Sequence, residues 1–327
     1  MFCTRPPRRL PHGPGHPDPL LCPPAAASEG RLKPSTLSIY AGILRAHIDP
    51  VLGQRPLHAL SGREIEAFLC EKAAPREGMP GLAPRTVSNI STVLHGIFDH
   101  ACRTGSLRES PVWTCPAGRA AKNTAVLDAR EKKILTRHLL NNINTGQRAD
   151  ESFGLLLCLY TGMRLGEICA LRWGDVTPRP HSILVHRTVQ RISDPAGHRR
   201  TALVFGSPKS PSSDRVIPMP HFLHRLADRQ RREDECFILT GTPSPMDPRT
   251  MQNHFKAVLR RCGLRQVNFH AIRHTFATDC VGAGFDPKTL SSILGHADVS
   301  VTLNTYVHPS FDVMRRFMDK LRPAAEL

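Results

Sequence analysis

Apolar residues recur at helical spacing along most of this chain, and one region alone, residues 182–218, has the pattern of β-strands. Ser61 with Glu64, and Asp128 with Glu131, have the spacing of capping boxes, in which each partner satisfies a free backbone N–H at a helix start. The sequence therefore predicts a mainly α (α+β) protein with a small antiparallel sheet.

The helical patterns fall into two parts, which predict two domains. Residues 1–30 are rich in proline and have no periodicity, so we expect a disordered leader outside the fold. Residues 31–116 predict a small helical domain, 117–125 a basic interdomain linker, and 126–327 a second, larger domain.

The individual elements are predicted from apolar spacing and from capping or breaking residues. A first helix is expected after Ser35 as N-cap, and another is opened by Pro84. Strands are expected at residues 182–189, 201–205 and 215–218. Helices of the second domain are expected at residues 164–173, 248–262, 268–281, 287–294 and from 300 onward.

The composition favours a polyanionic partner. The chain has 44 Lys and Arg against 28 Asp and Glu, which gives a net charge of +16. Nucleic acid is the first expectation and an anionic membrane surface the alternative. No apolar run is long enough for a membrane span, and the basic start leads into proline-rich sequence rather than a signal-peptide core. The ten cysteines are scattered without a CxxC pair, which favours a reducing cytoplasm and argues against a zinc site.

Several separated segments carry residues whose chemistry suits a phosphodiester. They are Tyr-Thr-Gly-Met-Arg-Leu-Gly-Glu at 160–167, Lys209, His-Ala-Ile-Arg-His-Thr at 270–275, Leu-Gly-His-Ala-Asp at 294–298, and Tyr-Val-His at 306–308. In order and spacing they resemble the tyrosine recombinases of the phage-integrase type, over about residues 33–321. Each segment alone is a weak signal, and the ordered set is a strong one.

Arg164 and Arg273 are the candidates for holding the phosphate. A planar guanidinium binds two non-bridging oxygens at once, as a phosphorane-like state requires. Gly162 permits a tight turn that puts Arg164 at a helix start, where free N–H groups also favour an anion. Glu167 is three residues after Arg164, so we expect it to orient a catalytic side chain; a simple surface ion pair between them is the alternative.

His270 lies three residues before Arg273, so both side chains are expected on one helix face, where they can share a phosphate. The resemblance implies that His270 assists proton transfer. His274 is predicted to be a core or packing histidine. A zinc pair of His270 and His274 would need a glutamate where Ala271 stands.

Lys209 lies between two predicted strands, and the resemblance implies that it donates a proton to the leaving 5′ oxygen; a solvated loop lysine is the alternative. Arg215, after this hairpin, is a candidate contact to the DNA backbone. His296 follows Gly295 at a chain reversal, where its ring can hydrogen-bond a phosphate oxygen.

Tyr306 is the candidate nucleophile, since it lies in a polar context whereas Tyr40 and Tyr160 fit apolar faces. A phenol with its ordinary pKa of about 10 needs nearby cations and removal of its proton before it attacks. The alternative is a half-buried structural tyrosine. No acidic triad suited to Mg²⁺ is apparent, so we expect chemistry without metal or cofactor.

The resemblance implies a small helical core-binding (SAM-like) domain and a tyrosine-recombinase catalytic domain, which together enclose duplex DNA. It implies a site-specific recombinase (integrase) that cleaves and rejoins strands through a 3′-phosphotyrosine, integrating or excising a mobile element, as a nucleoid-associated homotetramer on its attachment sites. A directionality factor or a host DNA-bending protein would be further partners. The amphipathic tail at residues 311–321 either docks on a neighbouring subunit, as in the family, or packs on its own domain. A type IB topoisomerase and a DNA-binding regulator without catalysis are the rival functions.

Overall fold

The computed structural model describes residues 34–75, 78, 80–116, 125–178, 180–193, 201–206, 214–306 and 315. The chain divides into two compact units, Met1–Lys122 and Asn123–Leu327. The predicted leader, most of the predicted linker, Lys209, and the predicted tail except Arg315 lie outside the described residues.

The described part of the first unit is helical. Its helices are α1 (Pro34–Ile43), continued by a π-helical turn (Leu44–Ile48) into α2 (Asp49–Leu52), then α3 (Gly62–Ala73) and α4 (Pro84–Arg103). The capping box predicted for α3 is present, since Ser61 Oγ accepts from the Glu64 amide and Glu64 Oε2 accepts from the Ser61 amide. Helix α1 begins at Pro34, so the predicted N-cap Ser35 lies inside its first turn.

The apolar stripes of these helices meet in one core. Ile48, Ile65, Leu69 and Phe98 are fully buried there. Trp113 closes the core and donates its indole N–H to Ser91 Oγ at 3.1 Å, so its polar atom is satisfied. The first unit therefore has its own hydrophobic core.

The second unit carries the remaining helices. They are α5 (Ala129–Thr145), α6 (Ala149–Thr161), α7 (Leu165–Cys169), α8 (His221–Gln230), α9 (Pro248–Arg261), α10 (His270–Gly282), α11 (Pro287–Leu294) and α12 (Val299–Tyr306). Asp128 and Glu131 cap α5 as predicted. Helix α8 was not predicted from the sequence.

The strands form two small antiparallel sheets. They are β1 (Val176–Thr177), β2 (Ser182–Val185), β3 (Thr188–Ser193), β4 (Thr201–Gly206) and β5 (Arg215–Pro218). One sheet has the order β1-β2-β5, with Ile183 opposite Ile217, and the other is the hairpin β3-β4, with Val189 opposite Phe205.

The single strand predicted at 182–189 is wrong, because the chain changes sheets at His186 and Arg187. Asp175 binds both side chains: His186 Nε2 lies 2.9 Å from Asp175 Oδ1, and Arg187 Nη2 donates to the same oxygen at 2.8 Å. These polar contacts hold the two residues out of the ladder, so the apolar run is divided into β2 and β3.

The helix predicted at 164–173 is also wrong in length, because α7 ends at Cys169. The following residues pair with a distant segment: the Trp173 amide donates to the Cys236 carbonyl at 2.9 Å, and the Ile238 amide to the Leu171 carbonyl at 3.0 Å. Trp173 is fully buried and stacks on Phe153 of α6. This tertiary pairing outweighs the local helical preference.

The prediction of a mainly helical fold with a small antiparallel β component is confirmed. Helix α6 is apolar on nearly all sides, and Leu155, Leu156, Leu157 and Leu159 lie in the core of the second unit. Across the described part of the chain, every helix is too short or too polar to cross a bilayer.

Candidate active site

Three arginines of the second unit converge on the end of α11, at the backbone carbonyls of residues 293–295, here called the carbonyl turn. Gly295 has φ +65° and ends the helix in the left-handed conformation. Arg215 Nε donates to the first carbonyl at 2.6 Å, Arg273 Nη2 to the second at 2.7 Å, and Arg164 Nη2 to the third at 2.8 Å. The last carbonyls of a helix lack helical partners and carry partial negative charge, so they hold guanidinium groups well.

Glu167 holds two of these arginines from the opposite side. Its Oε1 accepts from Arg164 Nη1 at 2.7 Å and from Arg215 Nη1 at 3.1 Å, and its Oε2 accepts from Arg215 Nη2 at 2.9 Å. Burial would raise the pKa of Glu167, but the hydrogen bond and charge of Arg215, and then Arg164, outweigh it and lower the pKa. One carboxylate therefore faces several guanidinium groups, which leaves the site cationic.

Arg215 is buried, with 8% of its surface exposed, and its guanidinium faces Glu167 and the carbonyl turn. The contact of Arg215 with the DNA backbone stays a prediction. Arg164 is more open, since 31% of its side chain is exposed. Arg164 is thus the arginine of the pair on Glu167 that remains accessible to a ligand.

Gly162 ends α6 with φ +67°, and its carbonyl accepts from Arg273 Nη1 at 2.9 Å. A Cβ at this position would lie 2.4 Å from Phe276 Cδ1 and 2.8 Å from Leu294 Cδ2. Glycine is thus required by both the backbone conformation and the close packing. Arg273 is 2% exposed, and burial followed by the charge of Arg164 lowers its pKa to about 9, so it remains a cation at neutral pH.

Two histidines flank the arginines. His296 follows the carbonyl turn, its Nδ1 lies 2.8 Å from Thr302 Oγ1, and burial together with the charges of Arg273 and Arg164 lowers its pKa to about 4. His270 is the first residue of α10, and burial and Arg273 lower its pKa as well. Both rings are therefore mainly neutral at pH 7. His270 and Arg273 line a cavity of about 230 Å³ together with Met163, Leu165, Gln252, Asn268 and Phe269.

Tyr306 is the last residue of α12 and packs against a small apolar cluster of α10 and α11 that includes Leu290 and Leu294. Its Oη lies 2.6 Å from His274 Nδ1. Burial raises the pKa of Tyr306 despite the opposing charges of Arg273 and Arg164, so the phenol is protonated at neutral pH. His274, which the sequence predicts to be a core or packing histidine, is half-buried, and its ring nitrogen contacts the candidate nucleophile.

The structure brings Arg164, His270, Arg273, His296 and Tyr306 to one region, whereas Lys209 lies outside the described residues. Sequence reasoning missed the contacts of Arg215, His274 and Thr302. His274 stands at i+4 from His270, and this spacing, which places both on one helix face, was the available signal. Thr302 carries no sequence signal of its contact with His296.

The chemistry available here is electrostatic. Within the described ranges, no group of three or more His, Cys, Asp or Glu is arranged to hold a metal ion. The guanidinium groups lie beside a phenol, and such donors, fixed before the reaction, stabilise an oxyanion that gains charge. This arrangement suits phosphoryl transfer to the tyrosine.

Comparison with known proteins identifies the class. The sequence model of the phage integrase family matches residues 130–312, more than half of the chain. The chain belongs to the phage integrase family: it is a tyrosine recombinase, an enzyme that cleaves and rejoins DNA strands in site-specific recombination. The expectation drawn from the ordered motifs is thereby confirmed at the level of family and activity.

The relatives cover most of the chain. A XerC-like tyrosine recombinase of Caldanaerobacter subterraneus subsp. tengcongensis is 26% identical over 304 residues, which cover 84% of this chain and 74% of the relative. The transposase from transposon Tn916 of Enterococcus faecalis is 24% identical over 302 residues, 85% of this chain and 71% of the transposase.

Solved structures share the fold. The Tn1549 transposon integrase in complex with circular intermediate DNA aligns with a TM-score of 0.69 at 21% identity, over 91% of this chain and 97% of that chain. A lambda integrase dimer bound to a core site aligns with a TM-score of 0.57 at 19% identity, over 85% of this chain and 90% of that chain.

Proposed function

We propose that this recombinase binds duplex DNA at attachment sites and breaks each strand by attack of Tyr306 Oη on a backbone phosphorus. The strand is held as a 3′-phosphotyrosine, and a 5′ hydroxyl is released. One observation carries the proposal: Arg164 and Arg273 donate to neighbouring carbonyls of one turn, His296 follows that turn, and Tyr306 packs against the helix that carries it. A phosphate bound at this turn would meet both guanidinium groups, whose charges also act on the Tyr306 phenol.

Each side chain has a distinct role in the proposal. Arg164 and Arg273 bind the non-bridging oxygens and stabilise the extra negative charge of the transition state. His296, held through Nδ1 by Thr302, presents Nε2 to a phosphate oxygen. His270, on the same face as Arg273, contacts the same phosphate. Glu167 and Gly162 act indirectly, by holding Arg164 and Arg273 in place.

Lys209 is proposed to donate a proton to the departing O5′. It lies outside the described residues, between β4 and β5 in sequence, so its role rests on the family motif alone. Replacing Lys209 with alanine should slow cleavage of ordinary DNA and leave cleavage of a 5′-bridging phosphorothiolate unchanged, because a thiolate leaves without a proton. Equal loss on both substrates would contradict this role.

DNA binding is supported by the chain's net charge of +16 and by relatives whose structures contain DNA. Phosphate contacts of this kind make affinity fall steeply with salt. The Tn916 transposase and the Tn1549 integrase suggest a mobile element as the source of the substrate. We propose that four copies assemble on two sites, linked by the tail at residues 311–321, with a directionality factor or a host DNA-bending protein as further partners.

The test of the nucleophile is Tyr306→Phe on a nicked suicide substrate, which traps the covalent complex. The variant keeps the ring but loses the attacking oxygen, so it should bind DNA like the parent and form no adduct on a denaturing gel. Tyr160→Phe is the matched control, because the Tyr160 hydroxyl contacts Thr136 at 3.3 Å and the ring packs on Phe222. An adduct that survives in Tyr306→Phe contradicts the proposed function.

A further inference from the structure

His274 is the one histidine of α10 that contacts the candidate nucleophile directly among the described residues. Its Nδ1 lies 2.6 Å from Tyr306 Oη, and its ring is tilted by 51° to the tyrosine ring at a centroid distance of 5.5 Å. On its other side it meets His270 edge to face at 4.6 Å. His274 thus lies between the tyrosine and the histidine to which the motif assigns proton transfer.

The ionisation of both partners allows the phenol to donate this hydrogen bond in one tautomer of the histidine. Burial raises the pKa of Tyr306, so the phenol keeps its proton at neutral pH. Burial, and then the neighbouring His270 and Arg273, lower the pKa of His274 to about 4, so its ring is neutral. In the tautomer with the proton on Nε2, Nδ1 has a free lone pair, and the phenolic O–H donates to it.

We propose that His274 Nδ1 is the base that takes the phenolic proton of Tyr306 during strand cleavage and returns it during rejoining. This inference rests on the proposed function. As Oη forms its bond to phosphorus, the P–O5′ bond breaks, the Oη–H bond breaks and an Nδ1–H bond forms. The departing O5′ receives its proton from Lys209 or from water, so protons and charges balance on both sides of the step.

Bound DNA makes this transfer easier. The charged or titratable groups that face His274 are His270 and Arg273 on its own helix and Tyr306 on α12. Arg273 disfavours a second cation nearby, but a phosphodiester held by Arg273 and Arg164 offsets that charge. An imidazolium at His274 would then form next to the new phosphotyrosine rather than next to an unpaired guanidinium.

In this proposal the two histidines of α10 have different roles, His270 in phosphate contact and His274 in proton transfer. His270 and Arg273 share the face that lines the cavity, whereas His274 is one turn further along α10 and meets α12. His270 is therefore free to contact the phosphate, and the proton passes to the residue that already holds the hydroxyl. The sequence motif by itself assigns both the phosphate contact and the proton transfer to His270.

The experiment compares the parent with His274→Phe and His274→Gln in single-turnover adduct formation on the suicide substrate from about pH 6 to pH 9. A lost general base costs about 100-fold or more, so His274→Phe should be slower by that factor at pH 7. The parent rate should be nearly flat across this range, because His274 is already neutral. The Phe variant should gain about tenfold per pH unit, as hydroxide replaces the missing base.

His274→Gln separates proton transfer from positioning. Its amide oxygen can accept the tyrosine hydrogen bond but cannot take the proton, so its rate should rise with pH as steeply as that of the Phe variant. A Gln variant with the parent's rate and flat profile would overturn the inference, since holding the hydroxyl would then suffice. A thermal melt shows whether His274→Phe is folded. If it is not, His274→Gln alone still tests whether His274 takes the proton.

The control is His224→Phe, a half-buried histidine of α8 whose pKa is also lowered and which stacks on His181. It should change neither rate nor pH profile, and a change as large as that of His274→Phe would count against the inference. Failure of the proposed function has a different signature. In that case Tyr306→Phe still forms an adduct, whatever the His274 variants do.

Discussion

The two sides of the site are held in different ways. The arginines are fixed from several directions: Arg273 donates to two backbone carbonyls, and Arg215 is fixed by Glu167 and a third carbonyl. Tyr306 lies in α12 and packs on a small apolar cluster, and among the described residues its hydroxyl contacts His274. The phosphate-binding side is therefore built in advance, whereas Tyr306 has fewer hydrogen bonds than the arginines among the residues that the structure describes.

This difference suits the reaction. Charge stabilisation is most effective when the donors need no rearrangement as the transition state forms. The tyrosine, in contrast, must approach a phosphorus, become covalently attached and leave again when the strands are rejoined. A side chain with few hydrogen bonds can move by the small distance these steps require more easily than one that is fixed from several directions. Variants on the arginine side should therefore affect both folding and chemistry, and variants on the tyrosine side mainly chemistry.

The largest effect is expected for Glu167→Gln. Glu167 is 3% exposed, and its loss of charge leaves Arg164 and buried Arg215 without their common partner. Breaking a buried pair on one side costs about 3–5 kcal/mol, so the free energy of unfolding should fall by that amount in urea titrations at pH 7. The control Asp234→Asn removes an exposed partner of Arg231 and should cost less than about 1 kcal/mol.

The same variant has a predicted pH signature. The pKa of Glu167 is lowered in the folded protein from the ordinary 4.5, so its contribution to stability is complete above that value and is lost as the pH falls through the folded-state pKa. The parent should therefore lose stability below about pH 4.5 more steeply than Glu167→Gln. If the free energies of unfolding of the parent and of Glu167→Gln fell in parallel below about pH 4.5, the Glu167 carboxylate would not be the group that holds the arginines.

The next largest effect is expected for Arg273→Lys. Lysine keeps the charge but cannot donate in a planar fork to the carbonyls of Gly162 and Leu294 while also facing a phosphate. Loss of one such fixed donor costs about 100-fold to 1,000-fold, or about 2.7–4 kcal/mol of transition-state stabilisation. Adduct formation should fall by this factor with little change in DNA affinity. Arg265→Lys, at an exposed pair with Glu131, is the control that should retain the parent's rate.

These contacts show which parts of the site the sequence could predict. Arg273 and His270 share a helix face because they are three residues apart, and Gly162 ends a helix because its conformation demands glycine; both are local properties. The pairing of Glu167 with Arg215, 48 residues away, depends on how β5 packs beside α11. No spacing rule contains that information.

The same limit applies to the fold. The helix starts marked by Ser61 and Asp128 follow from capping chemistry, and the structure has both. The break of the run at residues 182–189 depends on Asp175, and the early end of α7 depends on pairing with residues 236–238. Local patterns therefore located the elements, while distant partners determined where some of them end.

A third prediction compares two glycines of the second unit. Gly162 and Gly146 have φ of +67° and +72°, so alanine is strained at both, but the Cβ of Gly162 would collide with Phe276 whereas that of Gly146 meets nothing within 4 Å. Gly162→Ala should therefore destabilise the protein by about 1–3 kcal/mol more than Gly146→Ala, which is the usual cost of overpacking. Thermal melts measure the difference, and equal losses would mean that Phe276 moves aside freely.

The smallest effect is expected on the tyrosine side, for Thr302→Val. Thr302 is fully buried in α12, and valine keeps its shape while removing the hydroxyl that orients His296. One hydrogen bond is worth about 0.5–1.5 kcal/mol, so adduct formation should slow by roughly tenfold or less, while unfolding changes little. The pKa of His296 is about 4, so the ring is neutral and the loss should be the same from about pH 6 to pH 8. A loss as large as that of Arg273→Lys, accompanied by a lower melting temperature, would mean that α12 is as rigidly built as the carbonyl turn, and the contrast between the two sides would no longer hold.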